Sequence, residues 1–277
     1  MKRKSFLFAA GLIMAAVTFS ACDKSSDSET NPVGPTGASK KLSRIIYQTD
    51  DGGGIEKRFT WDGEFLSKVQ NFIHIGQDPS SYWVFYNDGK RLIGSESYRV
   101  RNNGDEERSS STEYTYDGNN IVRVKQTKYE YEDDGSVREN GWELWEMSYS
   151  GGKMTTVVHS EDHNSDDREE QHYTWSGNNI IGEHGIELYR YGNMKNPLWL
   201  PCGASIEYSS GGELIWINDF AIWCENLVEQ LRTGETEWVD MEERLNWTIT
   251  TDEDGYPVKY VCDGDYYRGI IILEYEE

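Results

Sequence analysis

From Lys40 onward, apolar and polar positions recur in one unit. An aromatic residue is followed by one or two small or acidic residues, then Gly, then an apolar residue three positions on. Phe59-Thr60-Trp61-Asp62-Gly63 leads to Leu66, and Phe85-Tyr86-Asn87-Asp88-Gly89 leads to Leu92. Tyr114-Thr115-Tyr116-Asp117-Gly118 leads to Ile121, and Met147-Ser148-Tyr149-Ser150-Gly151 leads to Met154. Tyr173-Thr174-Trp175-Ser176-Gly177 leads to Ile180, and Ile206-Glu207-Tyr208-Ser209-Ser210-Gly211 leads to Leu214. Each glycine predicts a β-hairpin. Asp-Gly suits a type I′ turn, whose central residues both need positive φ. A two-residue loop then sets Phe59 across from Leu66 and Tyr114 across from Ile121, so aromatic packs against aliphatic beside each turn.

A second set of turn signals lies between these: Gly76 to Ser80, Asn103-Gly104, Asp134-Gly135, Asn164 to Asp167, and Glu183 to Gly185. Turns at both ends make an antiparallel meander. The second set is charged (Asp105-Glu106-Glu107-Arg108, Glu132-Asp133-Asp134), so the core is expected nearer the Asp-Gly edge. Glycine spacings of 26, 29, 33, 26 and 34 residues are too uneven for a strict solenoid or propeller. The strand Glu106–Tyr116 offers no apolar face for lipid, which argues against a transmembrane barrel. Phe220, Trp223, Leu227 and Leu231 have helical spacing, giving one short helix within 219–231, although Leu227 to Leu231 equally suits a strand. The end returns to β character at Trp247 to Thr250, Val258 to Cys262 and Gly269 to Tyr275. The expected fold is all-β: a large antiparallel meander forming a curled sheet or partly closed, barrel-like domain over residues 40–277.

The first 39 residues read differently. Lys2, Arg3 and Lys4 precede an apolar run from Phe6 to Phe19, and Ser20-Ala21-Cys22 closes it. That is the layout of a bacterial lipoprotein signal, with residues 1–21 removed and Cys22 lipidated. The apolar run is shorter than the ~20 residues that span a bilayer. Asp23 to Ser39 has Val33 as its one strongly apolar residue, so segment 22–39 is expected to be a flexible tether. The expected location is the outer membrane, lipid-anchored, on its periplasmic or cell-surface face.

Charge narrows the partners. The chain holds 27 basic and 49 acidic residues, and three of the basic ones lie in residues 1–21. The remainder therefore carries 24 against 49, a net charge of −25. Phosphate recognition needs a basic face, so nucleic acid is excluded. Beyond Cys22, the cysteines Cys202, Cys224 and Cys262 form an odd set whose pairing stays open. No CxxC occurs.

The lipoprotein signal, the recurring Tyr/Trp-Asp/Ser-Gly-x-x-Leu/Ile unit, Tyr191-Gly192 with Asn196-Pro197-Leu198, and Asp252-Glu253-Asp254-Gly255-Tyr256-Pro257-Val258 together resemble a lipoprotein family of Gram-negative gut bacteria. That family carries a domain of unknown function with an all-β, porin-like fold. The unit is also distantly similar to the tyrosine–aspartate repeats of bacterial surface and toxin-shell proteins, without their regular period. The resemblance implies a fold and a location, and it brings no catalytic residues.

Candidate chemistry is sparse. His159-Ser160-Glu161-Asp162-His163 has its Glu one place late for H-E-x-x-H and reads as polar residues on the surface, so no metal site is expected. Asp162, Asn164 and Asp166 match early calcium-loop positions, but Asp167 replaces the required Gly, leaving only loosely bound calcium open and no other cofactor. No G-x-S-x-G and no P-loop occurs. Tyr82-Trp83 and Trp142-x-x-Trp145 sit away from the tight turns and offer ring faces for a glycan or a protein ligand. The expected function is a non-catalytic binding or scaffold module. A glycan-degrading enzyme and a structural subunit of an envelope complex are the alternatives.

Overall fold

The computed structural model describes residues 40–276, apart from 51, 90, 119, 133–134, 163–167, 197–225, 234–236, 241–246 and 264–267. The signal, the tether, Cys22, Cys202, Cys224 and the sixth repeat unit lie outside the described residues, as does the side chain of Cys262. Twelve strands follow in meander: β1 Leu42–Thr49, β2 Gly54–Asp62, β3 Phe65–Phe72, β4 Ser81–Asn87, β5 Leu92–Val100, β6 Glu106–Asp117, β7 Asn120–Tyr131, β8 Val137–Ser150, β9 Lys153–Glu161, β10 Glu169–Ser176, β11 Asn179–Glu183 and β12 Ile186–Glu187. Six more follow among the described residues: β13 Tyr189–Lys195, β14 Asn226–Thr233, β15 Glu237–Asp240, β16 Trp247–Thr251, β17 Pro257–Asp263 and β18 Arg268–Tyr275.

The main sheet has 15 strands in the order β12 back to β1, then β18-β17-β16; β13-β14-β15 form a second sheet of 3 strands. Pairing is antiparallel throughout. β18 lies against β1, so the last hairpin joins the first strand. The expected helix is not there over Asn226–Thr233, which is strand β14, held between β13 and β15. Ladder bonds to two neighbours override a helical spacing of apolar residues. Residues 219–225 lie outside the described residues.

One short strand shows that the sheet curls. Tyr191 Oη donates to the Ile180 carbonyl on β11 at 2.5 Å, and the Lys195 amide donates to the Gly255 carbonyl in the β16–β17 turn at 2.9 Å. β11 and β17 stand twelve strand spacings apart in the main sheet, which is ~58 Å if flat. Four extended residues and one tyrosine side chain reach only ~20 Å. The sheet therefore bends until its two ends meet at β13. Among the described residues it stays open as a barrel, because β12 and β16 end it without pairing.

The tight turns differ from the expected pairing by a recurring device. The loop is Gly63-Glu64 rather than Asp62-Gly63, and Trp61, not Phe59, faces Leu66. Gly63 has φ 56° and Glu64 is not positive, which is the type II′ requirement of Gly at the first central position. At Gly151-Gly152 both residues are positive (58° and 76°), as type I′ needs. A β-bulge follows within the next strand. Register shifts between Trp61–Leu66 and Thr60–Lys68, and likewise beside Leu92, Ile121, Met154 and Ile180, always placing the extra residue at Gly plus four. A bulge reverses the alternation of faces. Leu66 and Val69 thus share one face, as do Ile121 and Val124, and Met154 and Val157, and all six are buried.

The bulge also releases a carbonyl from the ladder, and the next hairpin supplies its donor. Trp61 Nε1 donates to Leu42 O at 2.9 Å, Tyr116 Oη to Leu92 O at 2.6 Å and Tyr149 Oη to Ile121 O at 2.9 Å. Trp175 Nε1 donates to Met154 O at 2.6 Å, and Tyr275 Oη to Pro257 O at 2.6 Å. Each acceptor directly precedes a bulge. This explains the aromatic residue two places before Gly: its ring packs on the core and its polar tip satisfies a neighbour's backbone. Tyr116→Phe is expected to cost about 1–3 kcal/mol, the range for a buried acceptor left unpaired. Urea denaturation measures it.

The core lies where the unit places it, beside the tight turns, in one cluster from Leu42 to Leu273 that Tyr189, Tyr191 and Met194 of β13 cover. The opposite, convex face is charged. Glu113 pairs across from Lys125, and Arg123 across from Glu146, so that face is no lipid-facing girdle. Glu56 is buried there with Arg44 Nε at 2.6 Å and Arg58 beside it. Burial opposes its charge, but the two arginine hydrogen bonds prevail and hold the carboxyl below the usual carboxylate range.

Candidate functional site

Away from the tight turns, the concave face changes from apolar to polar. The register fixes which side chains share it: Phe85 faces Ser95, Ser95 faces Thr112, Thr112 faces Gln126, Gln126 faces Glu143, and Glu143 faces Glu161. A parallel row runs Val124, Trp145, His159, Glu169. Ser95, Ser97, Ser110, Thr112 and Gln126 are buried in this band. Ser97 Oγ lies 2.7 Å from Ser110 Oγ and 2.9 Å from Ser109 Oγ. Ser95 Oγ lies 3.4 Å from Tyr114 Oη, and Gln126 Nε2 donates to Ser110 Oγ at 3.4 Å. Such hydroxyl–hydroxyl pairing is what a polar lining needs where water is excluded.

The band ends in a charged group. Lys128 Nζ donates to Glu143 Oε1. The His159 ring lies flat on Trp145, with centroids 4.9 Å apart and planes at 16°. His159 Nε2 stands 3.6 Å from Glu143 Oε2 and 3.9 Å from Glu161 Oε1, and this buried nitrogen makes no hydrogen bond. Burial opposes the charge on Glu143, yet the interactions with His159 and Lys128 outweigh it and hold its carboxyl below the usual range. Glu143 therefore stays an ionised acceptor at neutral pH. Asn71 is a second partly satisfied group on the concave face: its Nδ2 donates to Ser81 Oγ at 3.1 Å, while its buried Oδ1 has no partner.

The four expected ring residues are not brought together. Neighbouring strand positions point to opposite faces, and so do positions three apart without a bulge. Trp83 and Trp145 point into the concave face, where they are 5% and 3% exposed. Tyr82 points to the convex side, where Tyr98 stacks on its ring at 4.9 Å and Lys68 Nζ sits 4.3 Å from its centroid. Both its faces are therefore covered. Its hydroxyl donates to Glu106 Oε2 at 2.8 Å, and burial together with that carboxylate pushes the phenol pKa up to about 12. Trp142, half-buried, is on the convex side opposite Thr127.

His159 was expected on the surface and is instead turned inward, 20% exposed. The signal for this was present: Val157 is a core position, and two residues along a strand return to the same face. Among the described residues, no group of three His, Cys, Asp or Glu side chains is placed to hold a metal. His163, Asn164 and Asp166 lie outside the described residues.

No family model and no curated protein matches the chain. Among solved structures it is similar to a protein of unknown function from Bacteroides fragilis, at 10% identity and TM-score 0.30, covering 48% of this chain and 93% of that one. It is also similar to a porin-like protein from Bacteroides uniformis, at 10% identity and TM-score 0.27, covering 85% of this chain and 98% of that one. At this level neither likeness carries an argument about the present chain.

Proposed function

We propose that this chain is a lipid-anchored, non-catalytic binding protein of the outer membrane that takes a polar ligand at the inner, charged end of its curled sheet. Lipid on Cys22 would hold it to the membrane, and the segment up to Ser39 would set the domain off from the surface. One observation carries the reading: a single concave face passes from a closed apolar layer to a polar lining and then to Glu143, Lys128 and His159. A face built only for stability would stay apolar, because buried polar groups gain little even when paired.

The state of Glu143 does not suit it to act as the proton donor of a glycosidase. A glycosidase acid must hold its proton near neutral pH, which needs a raised pKa. Here Lys128 and His159 work the other way. Titrating the full chain with polysaccharides, mucin glycans and calcium, with tryptophan emission as the readout, tests the reading. A saturable shift with at least one ligand is the expected result. If no ligand gives a shift, the reading gives way to a partner within an envelope complex, and crosslinking would identify it.

A further inference from the structure

We infer that the tight-turn edge of the sheet faces the lipid surface and that the opposite, charged edge points away from it. This deepens the reading above and rests on its lipid anchor at Cys22. The observation that carries it is the position of Lys40 and Lys41, the described residues nearest that anchor in sequence. Both lie on the tight-turn edge. Lys41 Nζ donates to the Gly63 carbonyl at 2.8 Å, and Lys40 Nζ reaches Asp252 Oδ2 at 2.7 Å and Asp254 Oδ2 at 2.8 Å in the β16–β17 turn. More than surface ion pairs holds this point. The Glu276 amide donates to the Lys41 carbonyl at 2.7 Å, and Leu42, 1% exposed, pairs with Tyr275 in the ladder. A connection from Cys22 therefore enters the domain at this edge.

Reach then sets the orientation. A chain as long as Asp23 to Ser39 extends to ~55 Å at most, and as a coil it spans about 23 Å on average. Strand β6 has 12 residues, from Glu106 at the charged edge to Asp117 at the tight turns. The two edges therefore stand ~40 Å apart along the strand. Turning the charged edge to the membrane would make the connection run that whole length, which a coil of about 23 Å disfavours by roughly tenfold or more. The tight-turn edge also has the chemistry of an interface. Lys41 lies over Trp61, Arg91 over Tyr116 at 4.3 Å, Lys153 over Trp175 at 5.1 Å and Lys195 over Tyr256 at 4.8 Å. Tyr and Trp with Lys and Arg are the side chains that settle between lipid and water. Asp62, Glu64, Asp88 and Asp117 share this edge, so the anchor rather than net charge holds it to the membrane. Asp105, Glu107 and Glu132 lie at the far edge. The polar end of the concave face, with Glu143 and His159, thus opens away from the lipid.

The test uses the full chain, expressed with its lipid, in vesicles of phosphatidylethanolamine and phosphatidylglycerol that carry an acceptor dye on their headgroups. Flotation with the vesicles reports anchoring, and Cys22→Ala, which removes the lipid site, is the control that should not float. An azide-bearing phenylalanine replaces Glu64 at the first tight turn or Glu132 at the charged edge, and a donor dye is coupled to it, which spares the native cysteines. Both side chains are open to solvent, at 88% and 46% exposed, so neither change touches the core. The expected result is that the chain floats and that energy transfer from position 64 exceeds that from position 132 by about twofold or more, as edges ~40 Å apart require. Equal transfer from the two positions, or more from position 132, overturns the inference and leaves the anchored reading standing. A chain that does not float overturns the anchored reading and the inference with it.

Discussion

Leu92→Ala is expected to cost about 3 kcal/mol of stability, and Ile93→Ala less than about 0.5 kcal/mol, the ranges for a core truncation and for a surface change. The two residues are adjacent, similar in size and in the same strand. What separates them is the face each presents, since neighbouring strand positions point to opposite sides of the sheet. Leu92 is 1% exposed and closes the apolar layer, while Ile93 is the extra residue and is 46% exposed. Urea midpoints of the two variants measure the difference. A similar cost at both positions would mean that Leu92 does not close the apolar layer. The same contrast should then fail at Ile121, Met154 and Ile180, whose bulges occupy the same place in the unit.

That bulge marks the limit of what the chain shows on its face. The apolar residue at Gly plus three is plain in the sequence, and so are hairpins, an all-β meander and a core beside the tight turns. These follow from local chemistry: a glycine for positive φ, and an aromatic beside an aliphatic. A bulge leaves a weaker trace. It appears only as a second apolar residue three places on, at Val69, Val124 and Val157, which resembles helical spacing more than strand alternation. Missing it shifts every later face assignment by one position. The pairing of β1 with β18 and the bridge through β13 are legible from no local pattern, because each joins residues distant in sequence.

The site shows the same division. Tyr82, Trp83, Trp142 and Trp145 were singled out by residue type, and type does not say which way a side chain points. Trp142 and Trp145 point to opposite faces because three steps along a strand reverse direction. His159 was discounted by its motif, a Glu one place late for zinc, although its spacing from Val157 carried the useful information. Glu143 and Lys128 are unremarkable in a chain with 49 acidic and 27 basic residues. Only the register of β7, β8 and β9 brings them to one spot.

Lys57→Met is expected to abolish a rise in stability of about 3 kcal/mol between about pH 8 and 10.5, from roughly 1.36 kcal/mol per pKa unit. Lys57 alternates with Ile55 and Phe59 on the core face of β2 and is 6% exposed. Burial lowers its ammonium pKa from 10.5 to about 8. Below about pH 8 the folded and unfolded chains both carry the proton, and the folded state bears the full desolvation cost. Between about pH 8 and 10.5 the unfolded chain binds a proton that the folded chain has released, so stability rises with pH across that window. Above it both are neutral, and the cost is gone. Met keeps the unbranched stem and carries no charge, so the variant should lack this rise. Thermal melts of both proteins at pH 7, 8.5 and 10 give the test. Relative to the variant, the unmodified chain should gain about 8 °C in melting temperature from pH 7 to pH 10. A difference that stays constant with pH would show that Lys57 keeps its proton throughout.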